Sequence, residues 1–183
     1  MNYLTTALHH FDRAFPNAEV VPCKPAEIDR LEALLPEPYR LPAAYCELLA
    51  YGGHKLGNLF RHLDFSYRQV KFLLETGYGD IRSCIAGWED EDEDEDPELP
   101  DNLFVINEWL GSSFTFMRLD EGDDPSVYLW SEENEGGLEV ATAQYDRFSD
   151  FLTARVGKLA AQEAGLHGFA TRICQRPEVP CDG

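Results

Sequence analysis

The residues of this 183-residue chain that could carry chemistry are five histidines, five cysteines and a large excess of carboxylates. His9 and His10 are adjacent, so on a helix their rings point about 100° apart and do not readily share an ion. His54 and His62 belong to no HxxxH or Cys/His spacing. Cys23, Cys46, Cys84, Cys174 and Cys181 form an odd number without a CxxC, so no metal site is expected. Asp120-Glu121-Gly122-Asp123-Asp124 sets oxygen donors around a glycine but lacks the alternating ligands and distal Glu of a calcium loop. A hairpin turn is the plainer use of those residues. Gly111-Ser112-Ser113 falls in an expected hairpin rather than a strand-to-helix elbow, and no Gly-x-Ser-x-Gly, phosphate loop or dinucleotide fingerprint occurs. A general acid needs a displaced pKa in a pocket, whereas these carboxylates read as solvated. The expectation is a protein that is not an enzyme and uses no cofactor.

The charge is unevenly placed. The chain has 34 acidic and 15 basic residues, a net charge of −19. From Ala86 to Leu152 there are 21 acids against only Arg118 and Arg147, while the 13 acids and 13 bases elsewhere cancel. Such a balance argues against nucleic acid or an anionic membrane as partner. A one-sided negative field attracts cations or a basic macromolecule, and it equally keeps an outer face solvated; the residues leave both uses open. Trp88, Trp109 and Trp130 border the acidic segment, the first hairpin and the third strand. Tryptophan is a frequent interface anchor, and Trp109, beside a turn, is the one expected to be exposed, with Trp130 in the core.

The elements that would position these groups centre on Asn102–Leu152. Leu103–Glu108, Phe114–Asp120, Ser126–Ser131 and Gly137–Ala143 are rich in β-branched and aromatic residues and are separated by Gly, Asn and Asp turns. Connections this short require antiparallel pairing, hence a meander. Before it, Leu4, Leu8 and Phe11 predict a leading helix. A second helix starts near Pro25, with Ile28, Leu31, Leu34 and Leu35 along one face. A third starts at Pro42, with Tyr45, Leu48 and Leu49 inward and Gly52-Gly53 as a left-handed exit. Phe65–Glu75 reads as another helix, Ile81–Trp88 as a short strand or buried segment, and Glu89–Glu98 as a repelling acidic loop. Tyr145, Phe148, Phe151, Leu152, Val156 and Leu159 lie at helical spacing and predict a helix of about four turns over the sheet. Leu166–Cys174 suits one more short helix, and Pro177–Gly183 a frayed tail.

The expected architecture is α+β: an antiparallel meander sheet packed against several helices, in a single domain. Residues 1–25 form an N-terminal helix and linker, 26–160 the domain with its acidic loop 89–98, and 161–183 a C-terminal extension. The N-terminus shows no signal peptide and no run reaches membrane-spanning length, so reduced cysteines in the cytoplasm are expected.

The order of these features resembles the SUKH superfamily, the Smi/Knr-like proteins. Ile28, Leu31, Glu32 and Leu35, then Leu41-Pro42, Tyr45, Leu48, Leu49 and Gly52-Gly53, look like that family's LP-x-x-[YF]-x-x-[LF]-L helix and glycine exit. Leu103–Asn107 with Phe114–Leu119, then Pro125-Ser126-Val127-Tyr128, and Tyr145, Phe148, Phe151 and Leu152 resemble its strand pair, its P-V-Y strand and its closing helix. The family often has a Gly-Gly-Asp-like turn where this chain has Gly111-Ser112-Ser113, and the acidic run is an insertion-like feature. The resemblance implies an α+β domain without known catalytic residues. Many bacterial members are immunity proteins that neutralise a toxin, often a nuclease, and fungal relatives are regulators of cell-wall synthesis and signalling.

Joined to the charge, the resemblance implies a non-catalytic immunity protein that binds a basic, nuclease-like toxin through its acidic face. The expected partner-binding residues are Trp109, Asp120, Glu121, Asp123, Asp124, Glu132, Glu133 and Glu135, with the acidic run steering the encounter. A regulatory scaffold with a cellular partner is the first alternative. An enzyme or small-molecule binder is the second, and a convergent pocket holding a carboxylate of raised pKa would mark it.

Overall fold

A computed structural model describes residues 2–61, 64–79, 81, 99–109, 112–131, 138 and 141–174, with side chains as far as Gly165. The expected segment at 82–88, the acidic run, most of the expected strand Gly137–Ala143, and the C-terminal tail lie outside the described residues.

The architecture is α+β. The main sheet is a four-stranded antiparallel meander of β3 (Leu103–Trp109), β4 (Ser113–Arg118), β5 (Val127–Ser131) and β6 (Ala143–Tyr145), in that order. Leu103 pairs with Arg118 and Trp109 with Ser113, and a bulge between Val105 and Asn107 shifts the register between them. A two-stranded ribbon pairs β1 (Val20–Val21) with β2 (Lys55–Leu56), two-residue strands too short to show a period in the sequence. Five helices complete the described fold: α1 (Thr5–Ala14), α2 (Pro25–Glu32), α3 (Ala43–Gly52), α4 (Tyr67–Glu75) and α5 (Phe148–Cys174).

The sheet is covered on both faces, because alternate residues of its strands feed two apolar clusters. Phe104, Ile106, Met117 and Val127 join Leu4, just ahead of α1, Phe11 of α1, Tyr45 and Leu48 of α3, and Phe148, Leu152 and Val156 of α5. Leu103, Val105, Phe114, Phe116 and Trp130 form the second cluster with Leu73 of α4 and Ile81. On this second face Phe114 stacks on Trp130 and Phe116 on Tyr128, at centroid separations of 5.0 and 5.1 Å. These are directly opposed residues of β4 and β5, so the stacks are cross-strand pairs. Trp130 is thus a core residue, as expected, and Trp109 is 55% exposed.

Four expectations shift. Tyr145 belongs to β6, opposite Val127, and the final helix starts at Phe148. Its ring still packs on Phe151, which is why its spacing imitates a helical one. That helix is continuous to Cys174, with no break at Gly165 or Gly168. Gly53 is not a left-handed exit, since its φ is −63°. It is there for closeness: a Cβ would lie 2.6 Å from Cys23 Sγ and 2.8 Å from Leu49 Cα. On α2, Leu31 and Leu35 are buried but Leu34 is 40% exposed, because the helix ends at Glu32 and Leu34 leaves its apolar face.

Candidate functional site

The acidic turn between β4 and β5 is built around Gly122, whose φ of +92° reverses the chain. Each described acid here is held by a donor from elsewhere. Asp120 accepts from Asn102 Nδ2 at 2.8 Å, and Glu121 from the Ser126 N–H at 3.2 Å and the Tyr128 hydroxyl at 2.5 Å. The Tyr3 hydroxyl donates to Asp123 at 2.8 Å, a bond that, with burial and the carboxylate's charge, raises the phenol's pKa. Asp124 accepts from both the N–H and the hydroxyl of Ser149, at 2.9 and 2.6 Å.

These contacts have a common logic. Helices leave their first N–H groups without intrahelical partners, and their N-termini favour negative charge. Ser149 is the second residue of α5, and the Asp124 carboxylate caps it. Ala44 is the second residue of α3, and its N–H donates to the Asp123 carbonyl at 2.9 Å. Just ahead of α1, the N–H groups of Tyr3 and Leu4 are taken by the two carboxylate oxygens of Glu47, each at 3.0 Å. The turn therefore ties α3 and α5 to the sheet, with Tyr3 fastening the start of α1. Asp124 is half-buried, while Asp120, Glu121 and Asp123 stay exposed and present their charge to solvent.

Among the described residues, Trp109 and the acidic turn lie at different ends of the sheet. The acidic turn follows Arg118, at the end of the sheet where β3 begins. Trp109 lies at the other end, opposite Ser113, which pairs with Ser131. Five residue steps along β4 separate the two ends, roughly 17 Å at the strand rise. Glu132, Glu133 and Glu135 follow Ser131 in the chain and lie outside the described residues. Leu129, 38% exposed and on the same face as Ser131, adds apolar surface at the Trp109 end.

A second cluster escaped the sequence reading. The Cys23 thiol, the Glu27 carboxylate and the His54 imidazole bring their ligand-type atoms within 4.8 Å of one another. Glu27, in the first turn of α2, accepts from the Lys24 N–H at 2.8 Å and lies 3.2 Å from His54 Nε2. The Lys24 bond and then the His54 bond hold its pKa below the ordinary carboxylate value. Burial, with the Glu27 charge, pushes the Cys23 thiol up to about 12. The backbone fixes the arrangement: Cys23 N–H donates to Leu49 O, His54 N–H to Val21 O and Tyr67 N–H to Gly53 O, at 2.9, 3.0 and 2.9 Å. The His54 ring meets Tyr67 edge-on at 5.2 Å. Separations of four and 27 residues give no metal-ligand pattern, so only the pairing of β1 with β2 reveals this cluster.

A hollow of about 420 Å³ lies between the end of α1, the β1–β2 ribbon and Glu163 of α5. Lys55 on its wall is paired with Glu19 at 2.6 Å, and Asn58 donates to Glu163 at 3.1 Å. These polar groups bond one another instead of converging on a ligand, unlike the lining of a catalytic pocket. Among the described residues no helix is long and apolar enough to cross a membrane.

Residues 22–154 match the family model described as SMI1 / KNR4 family (SUKH-1), which covers well over half of the chain. A comparison with curated proteins finds no match.

Proposed function

The chain belongs to the SMI1/KNR4 family (SUKH-1), and from that membership we propose a non-catalytic immunity protein that neutralises a basic, nuclease-like toxin. The observation that carries this reading is the segregation of charge: 21 acids against two bases between Ala86 and Leu152, and neutrality elsewhere. A nuclease must present positive surface to phosphates, and a concentrated negative field competes for that same surface and accelerates encounter. The exposed carboxylates of Asp120, Glu121 and Asp123 are the contacts at one end of the sheet. Trp109 is the contact at the other, and Glu132, Glu133 and Glu135, which follow Ser131 in the chain, complete the set. Asp124 contributes through the fold, because its carboxylate is committed to α5.

The test is capture from cytoplasmic lysate of the source cells at low and high salt. The comparison variant carries Asp120→Asn, Glu121→Gln, Asp123→Asn, Glu132→Gln, Glu133→Gln and Glu135→Gln, and keeps Asp124. A basic nuclease retained at low salt, released at high salt and lost by the variant is the expected result. A partner indifferent to both salt and these substitutions refutes the charge mechanism. Family membership equally accommodates a regulatory scaffold, whose partner would be captured from cells that carry no toxin.

A further inference from the structure

The geometry points to a binding site for a divalent transition-metal ion of zinc type, formed by the Cys23 thiolate, the His54 imidazole and the Glu27 carboxylate at the junction of α2, α3 and the β1–β2 ribbon. The donors are one sulfur, one nitrogen and one oxygen, the set that suits zinc and its borderline neighbours and not magnesium or calcium. Ligands at zinc's usual bond lengths stand about 3.4–3.7 Å apart around a tetrahedron. Here one pair is already at 3.2 Å and every pair lies within 4.8 Å. Closing the longest gap takes a shift of about 1 Å, within reach of side-chain rotation.

The site is anchored asymmetrically. Cys23 is 6% exposed and its Sγ sits where a Cβ on residue 53 would intrude, so the sulfur is fixed and Gly53 leaves it room. Glu27 and His54 are partly exposed and form the side open to solvent. Three protein ligands leave the fourth position for water or an outside donor, the coordination of open zinc sites rather than closed structural ones. Occupancy replaces the thiol proton, which leaves to solvent, and clamps the segment before α2 to the end of α3. The 3.2 Å contact between Glu27 and His54 Nε2 is the arrangement the ion displaces. Nothing in this inference depends on the toxin-binding reading, because the cluster lies outside the acidic segment.

The experiment uses the full chain, reduced and freed of metal. Zinc is titrated against a chromophoric chelator, cobalt(II) is added as a spectroscopic probe, and Tm is measured with and without zinc. Expected are one zinc per chain, a sulfur-to-cobalt charge-transfer band in the near ultraviolet, and a rise in Tm. Cys23→Ser abolishes the band, and Cys46→Ser leaves it intact. His54→Ala, a change at a partly exposed position that spares the fold, weakens zinc binding at least about tenfold, the scale on which metal sites respond to ligand-sphere changes. Absence of one-to-one binding overturns the assignment. So does a cobalt band that survives Cys23→Ser, or binding indifferent to His54→Ala.

Discussion

Replacing Asp124 with Ala removes both bonds to Ser149 and leaves the N-terminus of α5 without its cap. Losing a capping side chain costs roughly 0.5–2 kcal/mol. A partly buried, charged acceptor raises that figure, since hydrogen bonds to charged groups contribute about 1.5–3 kcal/mol. The two ranges describe the same bonds and are not summed, so the expected loss is about 1.5–3 kcal/mol. For a chain of this length each kcal/mol moves Tm by about 2–4 °C, which puts the variant roughly 3–12 °C lower. Urea unfolding followed by tryptophan fluorescence gives the free energy, and calorimetry gives Tm. Asp124→Asn keeps an acceptor and falls between parent and Ala. Ser149→Ala removes only the hydroxyl bond, and the double variant completes a cycle whose coupling is expected to exceed about 0.5 kcal/mol, because the residues touch. Asp124→Ala within about 0.5 kcal/mol of the parent, the range of ordinary surface changes, would refute the capping role. Strict additivity with Ser149→Ala would refute it too.

Gly53→Ala drives a Cβ to 2.8 Å from the Leu49 Cα, a clash no rotamer relieves. The expected cost is about 1–3 kcal/mol, read as a lower urea midpoint, and a parental midpoint contradicts the packing argument. The chain is also expected to be labile in alkali. Burial raises the Cys23 thiol to about 12 and Cys46 to about 11 from 9.0, and Tyr51 to about 12 from 10.0; fully buried Tyr45 is raised as well. A group whose folded pKa is raised contributes stability that is complete below the unfolded pKa and is lost as pH climbs through the folded one. Urea midpoints measured from pH 7 to 11 should therefore hold to about pH 9 and then decline, and a flat profile rejects the claim.

The meander was legible because period-two alternation and turn residues act locally: β3, β4 and β5 fall within a residue or two of their expected bounds. The fourth strand was not, since only Ala143–Tyr145 pairs with β5 among the described residues, and Tyr145 mimics the helical period that starts at Phe148. Exposure at Trp109 and burial at Trp130 followed from their places beside a turn and within a strand. The use of the acidic turn was invisible for a different reason. Asp, Glu and Gly do mark a turn in sequence, but Asp124 and Ser149 are 25 residues apart and Tyr3 and Asp123 are 120 apart. Capping across such distances leaves no local signature. The Cys23–Glu27–His54 cluster was hidden likewise, because ligand patterns are searched within one element and this one spans two helices and a ribbon.

The placement of α4 restricts how any partner can engage the sheet. Edge strands invite another chain to add a strand of its own through unpaired backbone groups. On the β3 side that invitation is withdrawn: Leu73 of α4 packs into the cluster holding Leu103 and Val105, the Tyr78 hydroxyl reaches Leu103 O at 3.4 Å, and Asn107 Nδ2 is turned toward Asp64 O at 3.3 Å. On the opposite side, β6 spans three of the described residues. Backbone-templated association, with its tolerance of almost any extended sequence, is thereby disfavoured along the β3 edge. A chain meeting that edge finds side chains and charge rather than open backbone groups, and the same shielding guards the β3 side against edge-to-edge aggregation.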